Sequence, residues 1–147
     1  MTNIDLKITR LDKAVELPRY AYEGDAGLDL RSNESCTLKP FERRVIGTGL
    51  AIAIPSGYAG YVQPRSGNAL KRGLSMPNTP GLIDSKYRGE LCVLCINLNP
   101  DKEIVIERGE RIAQLVILQV PAVKLVEVES LEATERGEKG FGSSGVN

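Results

Sequence analysis

The sequence predicts an all-β fold: a jelly-roll-like β-sandwich or barrel with one short helix. Three observations predict it. Apolar residues fall into short extended runs, rich in Val and Ile and separated by Gly, Pro and Asn. Several runs alternate apolar and polar residues, as in Lys102-Glu103-Ile104-Val105-Ile106-Glu107. Helical periodicity is almost absent, and short strands at this spacing favour a closed or sandwiched antiparallel architecture.

The predicted strands, in order, are residues 4–10 (IDLKITR), 43–54 (RRVIGTGLAIAI), 58–63 (YAGYVQ), 89–98 (GELCVLCINL), 103–107 (EIVIE), 111–120 (RIAQLVILQV) and 123–128 (VKLVEV). The helix is predicted in residues 64–74, PRSGNALKRGL. Ser66 is the expected N-cap, Ala69 to Arg72 are good helix formers, and Gly73 is a natural stop. There is no internal repeat. Composition shifts only near residue 134, which divides the chain into a β domain of residues 1–133 and a Gly-rich segment of residues 134–147.

At 147 residues the chain suffices for one domain with a sizeable core. Its 19 basic and 19 acidic residues balance, which argues against a broad nucleic-acid footprint but not against a local basic pocket. No apolar run approaches the roughly 20 residues that cross a bilayer, and the start of the chain is charged; a soluble, cytoplasmic protein without a membrane partner is expected. The chain contains no histidine. Ser-His-Asp and Cys-His nucleophilic sites are thereby excluded, and acid–base work falls to carboxylates, Lys, Tyr or Cys. Cys92 and Cys95 lie three apart in an apolar strand, where side chains point to opposite faces, so small core residues are expected and not a metal or redox pair.

Two stretches carry chemistry. Around Arg65-Ser66-Gly67, a guanidinium, a hydroxyl and the free N–H groups of a helix start come together, the parts of an anion site; the plain alternative is a turn beside a surface arginine. In SMPNTPGLIDSKYRGEL (75–91), two extended pieces flank a turn at Asp84-Ser85-Lys86-Tyr87. A hairpin with few side chains at its base exposes backbone groups that can read the edge of a flat heterocycle. Asp84 can orient a water and Tyr87 can pack on a sugar; the alternatives are an Asx-turn former and a strand-end aromatic.

Five blocks occur in order: DAGLDLRS (25–32), PRSGNALKRGL (64–74), NTPGLIDSKYRGE (78–90), RGERIAQL (108–115) and RGEKGFGSSG (136–145). Together they resemble the five signature blocks of the trimeric deoxyuridine triphosphatases, the dUTP pyrophosphatase family. The resemblance implies a jelly-roll-like subunit, a homotrimer with sites built from more than one subunit, and Mg2+-assisted hydrolysis of dUTP to dUMP and pyrophosphate. That reaction limits uracil in DNA and supplies dUMP for dTMP synthesis. By resemblance, Asp84 activates the attacking water and Tyr87 lies under the deoxyribose. Asn78 and the backbone of Gly81 to Tyr87, Ile83 included, read uracil. Arg65, Ser66, Gly67 and Gln114 contact phosphates. Asp29 stands near the metal–triphosphate without binding metal directly. Arg136, Gly142, Ser143 and Ser144 reach the far phosphates, and Phe141 closes over the base.

The physical chemistry agrees with that assignment. Attack on phosphorus needs positioning and charge compensation more than strong bases. The chain has no GxxxxGK[ST] loop and no carboxylate cluster suited to a magnesium cage, so Mg2+ is expected to be held by substrate phosphates and water. The Gly-rich tail reads as a lid. One departure from the family pattern is Asn68, where an apolar residue usually follows PRSG; a change in how the helix seats on its neighbour is expected. The rival readings are a deoxycytidine triphosphate deaminase of the same fold, a non-catalytic nucleotide sensor, and a structural jelly roll without ligand.

Overall fold

The structure is a computed structural model, described for residues 3–141 and residue 144. Among the described residues there are ten strands and one helix: β1 (Lys7–Arg10), β2 (Leu28–Arg31), β3 (Cys36–Leu38), β4 (Arg43–Ala53), β5 (Tyr58–Gln63), α1 (Ser66–Arg72), β6 (Leu74–Ser75), β7 (Gly81–Ile83), β8 (Glu90–Asn97), β9 (Ile104–Ile106) and β10 (Arg111–Gln119). They form two four-stranded sheets, β1-β4-β8-β6 and β2-β10-β5-β7, and a two-stranded ribbon, β3-β9. All strand pairs are antiparallel. The inward residues of both sheets and of the ribbon share one core, with Leu30, Leu38, Ile46, Val62, Val93, Ile106 and Leu115 almost wholly buried. This is the expected all-β fold with one short helix.

β8 shows the alternation that set its prediction. Leu91, Val93, Cys95 and Asn97 are buried, while Cys92 and Leu94 face outward. Cys92 and Cys95 therefore lie on opposite faces, and burial pushes the Cys95 thiol up to about 12. Among the described residues no helix is long and apolar enough to cross a membrane.

The structure corrects three readings. Residues 123–128 are not a strand: β10 ends at Gln119, and Val123, Leu125, Val126 and Val128 are exposed with no partner strand among the described residues. The Val- and Leu-rich run is present, but a strand requires a neighbour for its backbone groups. The N-cap of α1 is Arg65 and not Ser66; Arg65 is extended and gives no side-chain cap, while Ser66 is already helical. Finally, the extended pieces flanking Asp84 to Tyr87 do not pair with each other. β7 pairs with β5 in one sheet and β8 with β4 and β6 in the other, so the turn is a crossover between sheets. The strands β2, β3 and β6 lie outside the predicted runs; each has two to four residues, too few for a periodic signal.

Candidate active site

An open cleft of about 340 Å³ is lined by Asp29, Arg65, Ser66, Gly67 and Gln114, with Asp25 and Gly27 among its other walls. Three elements meet there. β2 supplies Asp29, β10 supplies Gln114, and the corner from β5 into α1 supplies Arg65 to Gly67. β10 lies between β2 and β5, and Gln114 is directly opposite Asp29 on one side and Gln63 on the other. The Gln114 amide donates to the Pro64 carbonyl at 3.0 Å, which ties it to the corner. A Cβ on Gly27 would lie 2.5 Å from the Gln114 carboxamide oxygen, so only glycine leaves that amide its place.

Asp29 binds two arginines. Arg65 Nε donates to Oδ1 at 2.8 Å, and Arg111 donates to Oδ2 at 3.2 Å. The carboxylate is thereby neutralised, and Arg65 is fixed through Nε alone. Its two terminal NH2 groups make no hydrogen bond among the described residues. The N–H groups of Ser66, Gly67 and Asn68 open α1, where intrahelical partners are missing; no side chain caps them and no acid lies in the first turn. Gly73, left-handed at φ 73°, ends the helix as expected. The cleft thus offers forked and backbone donors, with Asp29 balanced by two arginines and Asp25 engaged by the Tyr22 N–H, a setting for polyanionic oxygens.

Arg111 was not anticipated. In a regular strand, residues 111 and 114 point to opposite faces. The register of β10 on β2 shifts between Arg111 and Ala113, and this bulge turns both Arg111 and Gln114 toward Asp29. No simple alternation in RIAQL signals that shift.

The second group of predicted residues lies elsewhere. Asp84 is exposed, and its turn is closed by its own carbonyl, which accepts the Tyr87 N–H at 3.0 Å. Its carboxylate makes no hydrogen bond among the described residues, so it is not an Asx-turn former. Tyr87 is 44% exposed, and its hydroxyl donates to the Glu90 carbonyl at 2.8 Å, which fixes the ring beside Gly89. Asn78 is exposed, Gly81 buried and Ile83 half-buried. β7 is an edge strand, so one side of its backbone carries no strand partner.

Register separates the two groups. Gly81 faces Val62 and Ile83 faces Gly60, so β7 runs away from the Arg65 end of β5. Extending the ladder puts Asp84 beside position 59, on the order of 20 Å along β5 from position 65 at strand rise. In the tail, Arg136 donates from Nε to the Lys139 carbonyl at 3.0 Å, and Phe141 and Ser144 are exposed. Gly142 and Ser143 lie outside the described residues. One chain therefore assembles Asp29, Arg65, Ser66, Gly67 and Gln114 and leaves Asp84 apart from them, and Arg136, Phe141 and Ser144 do not line this cleft.

The model of the dUTPase family matches residues 13–145, a span that contains all five sequence blocks. The deoxyuridine 5'-triphosphate nucleotidohydrolase of Corynebacterium diphtheriae is 56% identical over 140 residues, covering 95% of this chain and 92% of that protein. The dUTPase of Staphylococcus bacteriophage 80alpha, solved with dUPNHPP, is similar at TM-score 0.89 and 37% identity, covering 98% of this chain and 100% of that one. A mutant dUTPase from phage phi11 of S. aureus, whose structure concerns coordination of a structural Mg(II) ion, is similar at TM-score 0.82 and 29% identity, covering 88% of this chain and 100% of that one. On sequence and fold together, the chain belongs to the dUTPase family.

Proposed function

We propose that this chain hydrolyses dUTP to dUMP and pyrophosphate, by attack of water on the α-phosphorus, in a homotrimer whose sites each draw on more than one copy. The observation that carries this reading is the cleft in which Arg65, the N–H groups of Ser66 and Gly67, and Gln114 converge beside an Asp29 already balanced by two arginines. A triphosphate presents several anionic oxygens, and fixed donors stabilise charge that builds on them without reorganising at the moment of reaction.

Asp84 orients the attacking water and accepts its proton as the phosphorus–oxygen bond to pyrophosphate breaks. Its free, exposed carboxylate suits that role. The anchored ring of Tyr87 supports the deoxyribose, and the open edge of β7 with Asn78 reads uracil. Cytosine on that edge would leave a backbone group unpaired. Arg136, Phe141 and the glycine–serine stretch through Ser144 close over the nucleotide and exclude water.

A single chain is incomplete on this reading. Asp84 and Arg65 stand on the order of 20 Å apart by strand rise, too far to serve one phosphate. Two copies resolve this if the turn of one meets the cleft of another. The exposed apolar residues Val123, Leu125, Val126 and Leu131 supply surface for such association. The donor set does not fit a resident metal. Among the described residues no three His, Cys, Asp or Glu cluster, and both Asp29 oxygens are taken by arginines. Mg2+ is accordingly read as arriving with the triphosphate, part of the substrate.

The test is pyrophosphate release from dUTP with Mg2+. Asp84→Asn is expected to fold normally and to lose at least about 1000-fold in kcat, the scale of a lost base. Turnover within tenfold of wild type contradicts the assignment.

A further inference from the structure

Asn68 occupies the position at which this chain departs from the family pattern. Its side-chain amide donates to the Arg111 carbonyl at 2.9 Å. Arg111 sits where the β10–β2 register shifts. A bulge interrupts the ladder, so a carbonyl there needs a partner from outside the sheet.

The bond closes a ring of contacts. Arg111 reaches Asp29, Asp29 holds Arg65, Arg65 begins α1, and Asn68 in the first turn of α1 returns to the Arg111 backbone. The other end of α1 is anchored separately, by Arg72 on Glu110 and on the Val105 carbonyl at 2.5 Å. The helix therefore keeps a hold on β9 and on the turn before β10 without Asn68, while the pose of its first turn against Arg111 depends on it.

We propose that Asn68 is a positioning residue for the triphosphate: it locks the Arg65–Gly67 corner to the Arg111–Asp29 pair so that the donors of the cleft face one set of oxygens. The proposal rests on the functional reading above. An apolar residue at position 68 lacks the donor and leaves the corner to be held by packing. Asn68 touches no reacting atom on this account and acts through the corner and through Arg111.

The test compares Asn68→Asp, which keeps the shape but opposes an acceptor to a carbonyl, with Asn68→Leu, which removes polarity, in the full-length protein. Both are measured for dUTP turnover and for binding of an imido analogue of dUTP and of dUMP. Because positional errors of about 1 Å at a site of this kind are costly, both variants are expected to lose about tenfold in affinity for the triphosphate analogue while dUMP binding changes by less than about twofold. Asn68→Gln, which keeps a donor, is expected to recover part of the loss.

Equal losses for dUMP and the triphosphate analogue would reveal a merely structural role and overturn the proposal, as would unchanged binding of both. A wild-type protein that releases no pyrophosphate from dUTP would overturn the functional reading first, and this inference with it.

Discussion

The cleft and the C-terminal segment are built on opposite terms. In the cleft, each donor is held before any ligand arrives: Asp29 fixes two arginines, Pro64 fixes Gln114, and Asn68 fixes the bulge. Residues 121–141 are exposed throughout, and their polar contacts are local, such as Arg136 to Lys139. The core sheets carry the cleft and over-determine it, whereas the tail's one large ring, Phe141, is fully exposed. On the proposed function, the difference teaches that a single chain preorganises phosphate recognition and leaves base coverage and water exclusion to a segment whose order comes from ligand or from another copy.

Removing the tail breaks the comparison most severely. Truncation after Ala133 is expected to leave thermal stability nearly unchanged, since the described residues it removes are all exposed, and to lower kcat/KM for dUTP by about 100-fold or more. Thermal melting and pyrophosphate release check both halves. Full activity in the truncated protein would rule out a lid. A smaller effect is expected in the cleft. Asp29→Ala leaves Arg65 and Arg111 unpaired and free to turn, and KM for dUTP is expected to rise about tenfold or more as the fork loses its aim. Initial rates over a range of dUTP test this; an unchanged KM would mean that Arg65 is held by something other than Asp29.

The smallest effect lies in the core beneath both regions. Cys95 is neutral in the fold because burial raises its thiol from 9.0 to about 12. Its contribution to stability is full below pH 9.0, where the unfolded thiol is also neutral, and falls as pH rises toward about 12. Native protein at pH 8 is expected to leave Cys95 unmodified by a thiol reagent while denatured protein reacts fully. Mass mapping of the label checks it.

The same contrast explains what the sequence revealed. Long apolar runs such as β4, β5, β8 and β10 announced themselves because each carries enough apolar residues between turn residues to stand out as extended. The run at 123–128 is as rich in Val and Leu but has no partner strand among the described residues, and pairing is a property of the neighbour that no local pattern contains. In the cleft, Arg65 and Gln114 were legible from their types and their company. Arg111 was hidden by a bulge that reverses the alternation, and the link from Asn68 to its carbonyl spans 43 positions of sequence. The turn at Asp84 was legible as a turn, but its role as a crossover between sheets depended on which strands β7 and β8 join.

The separation of Asp84 from Arg65 within one chain makes the shared site the central claim, and subunit mixing tests it most directly. Asp84→Asn and Arg65→Ala proteins, each inactive alone, are unfolded together and refolded. With one contribution from each of two copies, random assembly is expected to restore about a quarter of wild-type dUTP hydrolysis. A mixture that forms trimers yet stays as inactive as either variant alone would contradict the account.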